Sequence, residues 1–263
     1  MRSRLPDRMA KKPEWVIRKE REGAASVWLF GLHAVRDALG NPARRRKRLI
    51  VTKNAFDRLR DVIEASGMEP EIADPRKFPA PLDPGSVHQG AALEVEPLDW
   101  GDLGALVPEG SATVLLLDRV TDPHNVGAIL RSAEVFGASA VVAPARHSAP
   151  ETGALAKTAS GALERQPYLR VTNLSQAMET LKEMGFQVIG LDGEAGIELD
   201  DALDRAGPRV ALVLGAEGPG MREKTRNTCD VLARIAFYGD FGSLNVSNAA
   251  AVALYASSKR RTE

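Results

Sequence analysis

Compact apolar patterning starts at Val27 and runs almost to the end of the chain, whereas residues 1–25 are polar and basic with no apolar period. Such a segment buries too little to order itself, so a basic disordered arm is expected there. Leu32, Val35 and Leu39 recur at helical spacing and predict a helix over residues 31–39, stopped at Gly40. Residues 48–52 read as a strand. Asn54 then reads as the cap of a helix whose apolar face is Phe56, Leu59, Val62 and Ile63, ending at Gly67. A Pro-rich stretch from Pro75 to Pro84 leads to a further strand at residues 91–95. This order predicts a small α/β domain over residues 26–96. Pro97, Gly101, Gly104, Pro108 and Gly110 punctuate a linker over residues 97–111.

The pattern changes in residues 112–263. Continuous apolar runs at 113–117, 140–143, 186–191 and 210–214 are the mark of strands buried on both faces. Helical stretches at 125–136, 151–162 and 173–184 separate them, and a last helix spans 245–258. Alternation of this kind predicts a parallel-sheet α/β domain.

Composition narrows the function. No apolar run approaches the roughly 20 residues that span a bilayer, and the N-terminus lacks the apolar core of a secretory signal. Cys229 is the single cysteine, which excludes a disulfide framework and a cysteine metal cluster; it reads as a buried small hydrophobe. A cytoplasmic protein is expected. Net charge is zero, yet residues 1–60 hold 17 Lys and Arg against 6 Asp and Glu. That asymmetry is the footprint of a part that meets a polyanion. Within it, Arg44, Arg45, Arg46, Lys47 and Arg48 read as an RNA-phosphate patch, with a solvated loop as the plain alternative.

Ligands of parallel α/β domains bind where strands end and helices begin. Three such junctions are unusually polar and glycine-rich. In the first, a strand ending at Asp118 leads to Asn125, Gly127 and Arg131. Asn125 suits an N-cap, and Gly127 implies a close backbone approach. Arg131 equally fits a solvated position on an amphipathic helix. In the second, a buried strand runs into Gly215, Glu217, Gly218 and Gly220. This is neither a Walker loop nor a dinucleotide fingerprint, and Glu217 equally fits a capping or solvated carboxylate. The third follows Ile235 and holds Gly239, Gly242, Ser243, Leu244 and Asn245 before a helix that opens with small residues.

Taken together and in this order, the junctions resemble the motifs of the SpoU branch of the SPOUT RNA 2′-O-ribose methyltransferases. Asn125, Gly127 and Arg131 match Asn-x-Gly-x-x-x-Arg; Gly215, Glu217 and Gly218 match Gly-x-Glu-Gly; Ser243 to Ser247 match Ser-Leu-Asn-Val-Ser without a gap. Residues 30–35, 51–55 and 88–90 are similar to words of the family's ribosomal-protein-like substrate-binding domain. The resemblance covers residues 27–258.

It implies a C-terminal trefoil knot, which nothing in composition or periodicity shows. It also implies S-adenosyl-L-methionine as cofactor, held by Gly215, Ile235 and Leu244 with Gly218 and Gly220, and no metal. Arg131 would stabilise the developing alkoxide or grip a phosphate, with Asn125, Glu217, Ser243 and Asn245 orienting it and the ribose. The implied activity is methylation of a ribose 2′-hydroxyl in structured RNA, a guanosine of 23S ribosomal RNA first. The implied assembly is a homodimer with the site near the subunit interface. A transfer-RNA substrate and a non-catalytic RNA-binding or ribosome-assembly role are the alternatives.

Overall fold

The computed structural model describes residues 26–83, 85–238 and 244–260. The expected arm, Ser243, Gly239 and Gly242 lie outside them. In the N-terminal part, β1 (Val27–Phe30), α1 (Leu32–Gly40), β2 (Arg46–Val51), α2 (Lys53–Ser66), β3 (Pro70–Ile72) and β4 (Ala91–Val95) follow one another. The strands form a sheet of order β1-β4-β2-β3. β4 runs antiparallel to both β1 and β2, while β3 runs parallel to β2. Thr52 caps α2, its hydroxyl accepting from the Ala55 amide, so the expected cap at Asn54 is corrected and falls two residues inside, within the first turn. Gly67 ends α2 at φ 69°, as the left-handed C-terminal position requires.

A short helix α3 (Leu103–Leu106) interrupts the linker. Beyond it come β5 (Ala112–Asp118), α4 (Pro123–Val135), β6 (Ala140–Pro144), α5 (Gly153–Ala159), β7 (Tyr168–Val171), α6 (Leu174–Glu183) and β8 (Gln187–Leu191). The chain continues through β9 (Ile197–Glu198), α7 (Leu199–Asp204), β10 (Arg209–Gly215), α8 (Glu223–Thr228), β11 (Val231–Arg234) and α9 (Val246–Lys259). The seven strands form one sheet of order β7-β6-β5-β10-β8-β11-β9. Every adjacent pair is parallel.

Side chains of a strand alternate between faces, and here both faces are dry. Leu115 and Leu117 of β5, with Leu212 and Leu214 of β10, join a core shared with α4, α5 and α9. Val114 and Leu116, with Ala211 and Val213, join a second core against α6. The first core is continuous with that of the small sheet, through Leu29, Val35 and Leu93.

The two parts meet closely. A Cβ at Gly153 would lie 2.4 Å from the Phe30 ring and from the Trp28 carbonyl oxygen, so only glycine lets α5 lie on β1. Beside this contact, Arg44 is 2% exposed. Its guanidinium donates to both Glu164 oxygens, at 3.0 and 2.7 Å, to the Glu96 carbonyl at 2.8 Å and to Glu151. Burial depresses the Arg44 guanidinium, but the hydrogen bond to Glu164 and the charges of Glu151 and Glu164 reverse this and leave it raised. Burial likewise pushes the Glu151 carboxyl up, against the opposing charge of Arg44. The expected placement of Arg44 on an RNA patch is therefore corrected. Its long stem and fork are folded inward because two carboxylates from residues beyond 150 need a partner there.

Candidate active site

β5 and β10 lie side by side, with Asp118 opposite Gly215 at their C-terminal ends. The loops that leave these ends are therefore neighbours although about a hundred residues separate them. α4 starts with Asp122 as its N-cap, its carboxylate accepting from the His124 amide, and with Pro123 in the first turn. The expected cap at Asn125 is thus corrected: Asn125 sits inside the first turn, its side chain half-buried and free to face outward from the helix. Asn245 does cap α9, its Oδ1 accepting from the Ser247 amide at 2.9 Å and the Ser247 hydroxyl at 2.6 Å.

That cap settles the orientation of the Asn245 amide, because a backbone N–H can only donate and so selects the oxygen. The nitrogen then points the other way. Nδ2 donates to Asn125 Oδ1 at 3.1 Å and to Glu217 Oε1 at 3.4 Å. One side chain thus joins residues from all three polar junctions. Both donors of Asn245 are used, whereas Glu217 is exposed and Asn125 Nδ2 has no protein partner among the described residues.

The loop after β10 is folded on itself. Ala216 and Gly220 exchange backbone hydrogen bonds of 3.1 and 2.9 Å. A Cβ on Gly215 would lie 2.1 Å from the Gly220 carbonyl carbon and the Met221 nitrogen. Gly218 and Gly220 hold φ values of 83° and 68°, in the left-handed region. The end of this loop is tied down by a pair that sequence reasoning missed. Asp118, fully buried, accepts from the Arg222 amide at 2.9 Å and its Nε at 2.8 Å. The available signal was an acid ending a seven-residue apolar strand, where an ionised group needs a partner.

Other expected residues are placed differently. Arg131 is exposed, and no ion pair joins it to a described residue; the structure does not bring it to Asn125, Glu217 or Asn245. It lies six residues past Asn125, about 9 Å along the axis and on another face. Gly127 does make a close approach, but to α5: its Cβ would meet Thr158 Cβ at 2.7 Å. Ile235 packs partly buried against the first core, and Leu244 is 47% exposed beside the cluster's Asn245. Arg45 and Lys47 reach Glu96, Arg48 forks onto Glu71, and Arg46 donates to the Leu39 carbonyl. Arg45, Lys47 and Arg48 remain exposed. Among the described residues no three His, Cys, Asp or Glu side chains group to hold a metal ion, and no helix is long and apolar enough to cross a membrane.

Comparison with known proteins places this arrangement. Residues 112–255 match the profile described as the SpoU rRNA Methylase family. Residues 28–100 match that of the RNA 2′-O ribose methyltransferase substrate-binding domain. The chain belongs to the SpoU methylase family. The two matches fall on the two sheets, and the SpoU methylase match contains Asn125, Glu217 and Asn245.

Among SpoU relatives, a Pseudomonas syringae pv. tomato protein named 23S rRNA (guanosine-2′-O-)-methyltransferase RlmB is 39% identical over 243 residues, covering 89% of this chain and 96% of its own. The Escherichia coli K12 protein of that name is 37% identical over 245 residues, covering 90% and 100%. The SpoU methyltransferase AviRb from Streptomyces viridochromogenes, solved with AdoMet, shares the fold at a TM-score of 0.78 and 22% identity over 94% of both chains. An AdoMet-bound rRNA methyltransferase from Sinorhizobium meliloti gives 0.75 at 23% identity, over 92% of this chain and 90% of its own.

Proposed function

We propose that this protein transfers a methyl group from S-adenosyl-L-methionine to the ribose 2′-hydroxyl of a guanosine in 23S ribosomal RNA. The observation that carries the reading is the hydrogen-bonded meeting of Asn125, Glu217 and Asn245, from three distant loops, on the C-terminal edge of the parallel sheet. The names of the relatives that match the chain nearly end to end support the choice of RNA.

The residues present fit the cofactor. The loop over residues 215–220 is closed on itself without side-chain bulk at Gly215, which leaves main-chain groups to recognise a flat base. Ile235 and the exposed Leu244 offer apolar walls. The cofactor, when bound, supplies an electrophilic methyl on a sulfonium. The protein must then align a ribose oxygen and ease loss of its proton. Glu217, held by Asn245, and the free amide of Asn125 orient the ribose by hydrogen bonds. A guanidinium is a poor base but a permanent charge, so Arg131 stabilises the developing oxyanion or grips the adjacent phosphate. Ser243 belongs to the same proposed set.

The trefoil knot and a homodimer complete the reading. Val135, Val252 and Tyr255, on α4 and α9, are 76%, 42% and 50% exposed, an unusual apolar face for a free surface. Arg131 shares the face of Val135, four residues away, so pairing of these helices across a twofold axis sets each Arg131 at the interface. Sedimentation of a monomer at micromolar concentration would remove the dimer. The reaction itself is tested by incubating the protein with 23S transcript together with transfer RNA and methyl-labelled cofactor, then mapping 2′-O-methyl sites. One modified guanosine is expected. Label on a base, on transfer RNA alone, or on nothing overturns the proposal. Ribosomal RNA as substrate places the protein in the cytoplasm.

A further inference from the structure

On the same edge of the large sheet, but over β6 and β7, lies a cavity of about 450 Å³ that none of the three motifs lines. This volume is in the range of pockets that hold nucleotide-sized groups, roughly 300–1,000 Å³. Arg146 and His147 come from the loop after β6, Asn173 and Ser175 from the start of α6, and Arg222 and Lys224 from the start of α8. No acidic side chain lines it. Arg222 is anchored by Asp118 at 2.7 Å and forms a fixed wall. Arg146 and Lys224 are exposed, and no ion pair joins either to a described residue. His147 is held at φ 60°, a conformation uncommon outside glycine.

Resting on the reading that the substrate is RNA, we propose that this cavity binds a backbone phosphate of the RNA strand next to the methylated nucleotide. Unpaired cations around a concave site attract a polyanion, and phosphate contacts fix register without reading bases. The position fits. β6 and β7 are the first and second neighbours of β5, and strands lie about 4.8 Å apart, so the cavity is on the order of 10 Å from the Asp118–Gly215 edge. That is about the reach of one or two nucleotides of extended strand. The loop that carries Glu217 ends at Arg222, so one segment serves both sites.

The test uses the full-length protein, 23S transcript and the double variant Arg146→Ala/Lys224→Ala, which spares Arg222 and the strained His147. RNA affinity is measured across a salt series, beside cofactor affinity and melting temperature. Each phosphate contact to single-stranded RNA adds roughly 0.7 to the slope of log affinity on log salt. The variant should therefore bind RNA several-fold more weakly with a slope smaller by roughly 0.7, at unchanged cofactor affinity and melting temperature. The charge-keeping variant Arg146→Lys/Lys224→Arg should keep the wild-type slope. Unchanged RNA affinity overturns the assignment, and so does weaker binding at an unchanged slope, which marks damaged packing rather than a lost phosphate contact. Wild-type protein that binds the transcript with the expected slope but methylates nothing overturns the reading of the active site and leaves this cavity's role standing.

Discussion

Asn245 shows how much one side chain can organise when all its hydrogen-bonding capacity is used. Its oxygen caps α9, its nitrogen bridges Asn125 and Glu217, and neither end can rotate without losing a partner. Arg131 is the opposite case, an exposed charge with no ion pair to a described residue, and its proposed role needs a ligand brought to it. Arg131→Ala should lower kcat on the order of 100- to 1,000-fold, the cost of removing one oxyanion-stabilising donor, and leave calorimetric cofactor binding intact. Near-normal turnover would remove the arginine from the mechanism. Two protons, on the buried Tyr168 and on Cys229, which is half-buried rather than fully buried as expected, give a pH dependence. Burial pushes the Tyr168 hydroxyl from 10.0 up to about 12 and the Cys229 thiol from 9.0 up to about 12. Both groups hold their protons more tightly folded than unfolded. Their contribution is whole below the ordinary values and is lost as pH rises through about 12. Melting temperature should fall between pH 9 and 12, and Tyr168→Phe with Cys229→Ala should flatten that fall; an equal fall in the double variant would contradict the assignment.

At the scale of elements, glycine decides how closely segments approach. Gly127 and Gly153 let α5 pack against α4 and β1, and Gly215 lets the loop after β10 close. Gly215→Ala would force a methyl into Gly220 and Met221, so that loop must open. Overpacking of this kind costs about 1–3 kcal/mol. The larger effect should be a loss of cofactor affinity by at least about tenfold, read by calorimetry beside a melting curve; wild-type affinity would show that loop closure is not needed. Helix starts were less legible than helices. Thr52 and Asn54 both suit a cap, and spacing does not choose between them. At α4 the deciding sign was present, since Pro123 favours the position just after a cap and so points to Asp122. β7, only four residues long, lacks enough period to stand out from the loop around it.

For the whole molecule, the arrangement of its two sheets depends on charges buried between them. The side chains of Arg44, Glu151 and Glu164 are 0%, 11% and 4% exposed. Arg44→Ala leaves two carboxylates without a cation and should cost about 3–5 kcal/mol in urea unfolding. Glu164→Gln in that background should recover part of the loss. A cost below about 1 kcal/mol would mean that apolar contacts alone, such as Gly153 on Phe30, hold the parts together.

Local rules determined much of this protein before any coordinates. Apolar runs and helical spacing specify the parallel α/β domain and the smaller one before it, because burial on one or two faces leaves a period in the sequence. The glycine loop at 215–220 is legible for a related reason: its tight closure at Gly215 and the left-handed backbone of Gly218 and Gly220 admit few residue types. Pairing between distant polar groups leaves no such period. Nothing local separates Arg44 from Arg45, yet one is locked against Glu164 and the other reaches solvent. Only packing decided that Asp118 would hold Arg222 and that four basic residues from two distant segments would line one cavity. Such contacts follow from where chain segments meet in space, and a one-dimensional pattern does not contain those distances.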